Sequence, residues 1–189
     1  MVQLRKQKCE INGEIKSKIM KEKGIREILE SIEILKERKR SGWQIRGLPT
    51  ESISDHITGT TLISLLLANL LDVEVDIEKT LKFSLLHDFP EAKLSDLDKL
   101  SKKYIDKQLS ERKAIEDISE PLKSILKEYK KSNSLEKKIV KDADKLDMNN
   151  RLNKLKEIGY SGKKLKEFQK DINFNFDKSN QLFDLIKSD

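Results

Sequence analysis

The chain of 189 residues has one cysteine, Cys9. That excludes an intrachain disulfide framework and a cysteine-based zinc site, and it fits a reducing cytoplasm. Three prolines and seven glycines leave few backbone breaks. Together with abundant Lys, Glu, Ile and Leu, this scarcity favours helices. No stretch reaches the roughly 18 apolar residues of a membrane span. The opening MVQLRKQKCEINGEIKSKIM also lacks a continuous apolar signal core. A soluble, cytoplasmic protein with no membrane partner is therefore expected. Aromatic residues make up 5% of the chain and do not interleave with basic ones. The formal net charge of +6 accordingly reads as solvated helix faces that attract phosphorylated small molecules, and nucleic acid is disfavoured as a partner.

What the chain does have is charge of both signs. Charged residues reach 38% against roughly 25% in ordinary globular domains. Apolar positions recur at helical spacing in nearly every readable segment, and no period-two alternation persists over strand length. The expected class is all-α, in one domain spanning 1–189, with a core over about 25–158 and a helical extension over 163–189. Ile25, Ile28, Leu29, Ile32 and Leu35 mark one face of a helix ending before KRSGW, while the first twenty residues are ambiguous. GLPT is a loop. Ser52 or Ser54 caps the next helix, whose body HITGTTLISLLLANLLD is apolar almost all round and is expected at the centre of the core. Asp76 caps the helix carrying IEKTLKFSLLHDF, and Pro90 ends it. Pro121 breaks an amphipathic run over about 110–130, a second run spans about 134–158, and Gly159 and Gly162 precede a short terminal helix.

The two histidines, His56 and His87, each stand beside an aspartate at the edge of an apolar helix. A short connection near DVEV makes those helices antiparallel neighbours and brings both histidines to one place. Histidine and carboxylate donors of this kind suit a divalent metal. A further donor comes from IVKDADKLDM, where Asp144 is flanked by Ala143 and Leu146 and is drawn inward with Val140 and Met148; Asp142 and Asp147 lie nearby. The competing reading is a surface helix laced with Asp and Lys pairs.

The ordered set His56, His87-Asp88 and Asp144, set in ESISDH, LLHDFPEA and VKDADKLDM, resembles the HD-domain superfamily of metal-dependent phosphohydrolases. The likeness runs from about Ile32 to Met148 and is strongest to the small single-domain 5'-deoxynucleotidase branch. It implies a helical bundle, often a homodimer. It implies His56, His87, Asp88 and Asp144 as ligands of one divalent ion, for which Mn, Co, Ni, Fe, Zn and Mg are all compatible. Glu91, in the HD-x-x-E position, is implied as the residue that orients or deprotonates the attacking water. A carboxylate three residues past Asp88 is near the metal without having to bind it, which suits proton transfer.

On the substrate side the resemblance assigns Arg40 and Trp43 of KRSGWQIRG to the phosphate and nucleoside, with Arg46 as a rival for the phosphate. Asp96 is assigned to a sugar hydroxyl or a substrate-side hydrogen bond. In KLSDLDK, however, Ser95 stands where relatives carry glycine, which leaves the loop shape open. The expected reaction is hydrolysis of nucleoside 5'-monophosphates, including deoxy forms. The alternatives are an HD-type hydrolase of triphosphates, alarmones or cyclic nucleotides, and a non-catalytic metal-binding scaffold.

Overall fold

The computed structural model describes the backbone of residues 2–96, 103–161, 165 and 172–187, and side chains from residue 19 onward. Among these residues the regular structure is helical, apart from an isolated antiparallel bridge between Lys39 and Ser52. In chain order the helices are α1 (Val2–Glu37), α2 (Ser41–Gln44), α3 (Ile53–Leu70), α4 (Ile77–Leu86), α5 (Glu91–Leu94), α6 (Lys107–Glu116), α7 (Leu122–Lys131), α8 (Leu135–Glu157) and α9 (Asp177–Lys187). No described helix is long and apolar enough to cross a membrane. Gly159 closes α8 with a φ of 98°, a left-handed turn that suits glycine, whereas Gly162 lies outside the described residues.

Helix starts follow their caps. The Ser52 hydroxyl accepts from the Asp55 amide at 3.0 Å, and the Asp55 carboxylate accepts from the Ser52 amide at 2.8 Å. This reciprocal capping box fixes where α3 begins. Asp76 and Asp106 accept from the amides of Lys79 and Leu109 and do the same for α4 and α6. Pro121 stands between α6 and α7 as the residue that precedes α7, where its missing amide costs no helical hydrogen bond.

Two expectations about apolar faces are corrected. The side of α1 facing the core is marked by Gly24, Ile28, Ser31 and Leu35, so Ile25, Leu29 and Ile32 are exposed. Close approach explains the rotation: a Cβ on Gly24 would stand 2.8 Å from Ser119 Cβ. The helix also extends back through the ambiguous first twenty residues. α3 is not buried all round either. Its inner line is Ile53, His56, Ile57, Thr60, Ser64 and Leu67, while Leu62 on the opposite side is 63% exposed.

α3, α4 and α8 pack on one another and form the frame of the site. Leu67, Ile139, Ala143 and Leu146 make an apolar layer between α3 and α8, and Phe174, Phe176, Phe183 and Ile186 from the C-terminal segment pack onto it. One buried carboxylate ties that segment down. Asp142 accepts from the Asn175 amide at 2.8 Å, from Asn175 Nδ2 at 2.7 Å and from the Phe176 amide at 3.3 Å. Asp142→Ala leaves those donors unsatisfied and is expected to cost about 2–4 kcal/mol of unfolding free energy. Urea denaturation checks this; a variant as stable as the parent would remove Asp142 from that role.

Candidate metal centre

The capping box places His56 one turn into α3, on the same inward line as Ile53 and Thr60, where it is fully buried. His87 ends α4, and its Nδ1 donates to the Ser84 carbonyl at 2.7 Å. His56 Nδ1 donates to the Asp147 carboxylate at 2.6 Å. With both Nδ1 protons engaged, the two Nε2 atoms face each other at 3.4 Å. Asp144 Oδ1 lies 3.1 Å from His56 Nε2, and Asp88 Oδ2 lies 3.6 Å from His56 Nε2 and 3.5 Å from His87 Nε2. The four residues expected as ligands thus meet, although Asp144 sits at the rim with 45% of its side chain exposed rather than drawn fully inward.

The spacings among His56, His87 and Asp144 fit a cation. Donors about 2.1 Å from one ion, at tetrahedral to octahedral angles, lie about 3.0–3.4 Å apart. Two neutral imidazoles whose Nε2 lone pairs confront each other need a positive charge between them. Without a metal, that charge is a proton. Burial and the nearby Arg40 guanidinium oppose a charged His56, but Asp144 and Asp147 outweigh them and raise its pKa to about 9. Conversely, burial works against charged Asp88 and Asp144, and the two histidines prevail and hold both carboxylates below their usual range.

Glu91 opens α5 three residues past Asp88 and is 8% exposed. Its main chain is fixed by Arg38, which donates to the Glu91 and Ala92 carbonyls at 2.5 and 3.0 Å. Burial first, then repulsion from Asp88 and Asp96, pushes its pKa up to about 9.

Arg40 stands among Asp144, Asp88, Asp96 and Glu51. Burial discourages its charge, but these carboxylates more than compensate and raise its pKa. Its Nη1 is buried with no hydrogen-bond partner among the described residues. Arg46 instead reaches back to the Gly42 carbonyl at 2.8 Å. Trp43 is 1% exposed and packs with Leu152, Leu155 and Leu165, so its ring anchors α2 in the core instead of lining the site. Asp96 accepts from Ser41 Oγ at 3.1 Å and from the Gly42 amide at 3.4 Å, which joins the loop after α5 to the start of α2. Ser95 adopts a φ of 68° and ψ of 164°, so the backbone keeps a glycine-like conformation without the glycine.

Sequence reasoning gave Lys107 no role. It pairs with Glu111 at 3.3 Å, and its charge is opposed by burial but favoured by Glu111, Asp88 and Glu91. No motif marks it. Asp147 carried a signal that was read too narrowly: at i+3 from Asp144 it shares a face of α8, and the two carboxylates bracket one imidazole.

An HD-domain family model matches residues 32–186. The chain is 33% identical over 162 residues to 5'-deoxynucleotidase YGK1 of Saccharomyces cerevisiae, covering 77% of this chain and 73% of that protein. It is 29% identical over 146 residues to 5'-deoxynucleotidase HDDC2 of Danio rerio, covering 71% and 70% respectively. A conserved hypothetical protein from Pyrococcus furiosus superposes with a TM-score of 0.76 at 32% identity, over 85% of this chain and 97% of that one.

The Ser95 backbone gives a test that needs no activity. Ser95→Gly relieves a left-handed conformation costing about 1–3 kcal/mol, offset partly by glycine's greater unfolded-state entropy, for a net gain of about 1 kcal/mol. Thermal denaturation checks this; an unchanged or lower midpoint would contradict the strain.

Proposed function

This chain belongs to the HD-domain family, and from that premise we propose that it is a metal-dependent phosphohydrolase releasing phosphate from nucleoside 5'-monophosphates, 2'-deoxy forms included. The named 5'-deoxynucleotidase relatives support the reaction class. The observation that carries the metal centre is the pair of Nε2 atoms facing at 3.4 Å beside Asp144 and Asp88. In this reading His56, His87, Asp88 and Asp144 hold the ion, and this mix of imidazole and carboxylate donors suits Mn, Fe, Co, Ni or Zn. What a divalent cation supplies at such a donor set is Lewis acidity, toward a phosphoryl oxygen and toward the attacking water.

The remaining work belongs to the chain. Arg40 binds the phosphate: its planar donors match phosphate oxygens in pairs, and Nη1 is buried beside the donor cluster without a hydrogen-bond partner among the described residues. Lys107 adds a second cation near Asp88 and Glu91. Both are needed because a phosphate dianion otherwise meets a cluster of carboxylates. Glu91 takes the water's proton at its carboxylate. In the metal-free protein its raised pKa keeps Glu91 protonated at neutral pH; a divalent ion held at Asp88 would lower that pKa and leave the carboxylate free to act as the base. Asp96, fixed by Ser41 and Gly42, shapes the sugar side of the pocket.

Phosphate release from a panel of nucleoside mono-, di- and triphosphates, with metal-stripped protein and divalent ions added back singly, tests this. Release from monophosphates alone is expected; silence across the panel with metal bound would overturn it. Asp88→Ala is expected to lose metal and activity together. Glu91→Gln is expected to keep its metal and lose about 10²–10⁴-fold in kcat. A fully active Glu91→Gln protein would remove Glu91 from proton transfer.

A further inference from the structure

His56 and His87 are oriented by different means. His87 donates Nδ1–H to a main-chain carbonyl, Ser84 O, which no side-chain substitution removes. His56 donates to a side chain, Asp147. We infer that Asp147 is a positioning residue: seated against the bare backbone of Gly59, its carboxylate holds the His56 ring so that Nε2 is presented to the donor cluster.

Two observations support this independently. The first is the contact itself, at 2.6 Å between His56 Nδ1 and Asp147 Oδ2, with Asp144 Oδ1 at 3.1 Å from the opposite nitrogen. Asp144 and Asp147 are one turn apart on α8, so one face of that helix brackets the ring. The second is a notch in α3. A Cβ built on Gly59 would stand 2.0 Å from Asp147 Oδ1 and 2.8 Å from its Cγ, distances that real Cβ atoms do not show. Gly59 is one turn past His56, and its missing side chain is the space the carboxylate occupies. Any larger residue there displaces Asp147 from the ring.

Glu51 lies close to His56 and Asp147 as well, and the three offer donor atoms within 4.8 Å of one another. A second ion on that side is not what the geometry describes. At 2.6 Å the nitrogen and oxygen are at hydrogen-bond length, with no room for a cation between them. A carboxylate in this position fixes the tautomer of a ligating histidine and raises its basicity.

The inference rests on His56 being a cation ligand, so its test reads metal binding apart from turnover. Cobalt(II) is titrated into the full chain while its visible d–d absorption is followed, for the parent, Asp147→Ala, Asp147→Asn and Gly59→Ala, with circular-dichroism melting to verify folding. Asp147→Ala and Gly59→Ala are each expected to bind cobalt about 10–100-fold more weakly, with an altered spectrum. Asp147→Asn, whose amide oxygen still accepts from Nδ1, is expected to fall between them and the parent. If Asp147→Ala fails to fold, the comparison rests on the other two: Gly59→Ala weaker than Asp147→Asn supports the inference, and equal affinity overturns it. A folded Asp147→Ala with parental affinity and spectrum overturns the role of Asp147 alone. A parent that takes up no cobalt overturns the metal centre, and this inference with it.

Discussion

Two imidazole nitrogens held 3.4 Å apart, each with its other nitrogen already donating, form the constraint on which the rest of the site depends. Neutral rings in that arrangement point lone pairs at each other. The contact persists only with positive charge between them, and Asp144 and Asp88 are placed to favour that charge. In the bare protein Asp144 and Asp147 outweigh burial and Arg40 and favour a proton on His56, which meets the need. A divalent ion meets the same need, because donor atoms of His56, His87 and Asp144 already lie within 4.8 Å of one another.

Much of the fold serves to hold that point still. The Ser52–Asp55 capping box sets the register of α3, and with it the face on which His56 lies. α8 crosses α3 and α4 and carries Asp144 to the same place. Trp43, buried against α8, anchors the short helix beside which Arg40 reaches the carboxylates. Asp96 joins α2 to the loop beyond Glu91, and Ser95 bears the backbone conformation this requires. Arg38 fixes the Glu91 main chain from another direction.

What was legible in the sequence was local or strictly ordered along it. The caps at Asp76 and at Ser52, one of two serines the sequence offered for α3, and the existence of the helices depend on neighbouring residues, and the H…HD…D order names residues that the helices bring together. What failed were rotations and distant pairings. The buried face of α1 runs through Gly24 and Ser31, which hydropathy ignores because the contact there depends on small size. α3 is central, packing on α8, α4 and α1, but it is not buried all round: Leu62, Leu65 and Leu66 stay outside while polar Thr60 and Ser64 go in. Lys107 bears electrostatically on Asp88 and Glu91 from α6, a tertiary relation that no spacing announces. Trp43 shows the limit of carrying a role over by resemblance: the residue is where the motif says, but its ring is in the core.

Anomalous diffraction from crystals grown with cobalt or manganese tests the central claim most directly. The account predicts one strong peak about 2.1 Å from Nε2 of both His56 and His87 and from a carboxylate oxygen of Asp88 and of Asp144. A peak instead among Glu51, Asp147 and the Nδ1 of His56, or none within bonding distance of both rings, would contradict it.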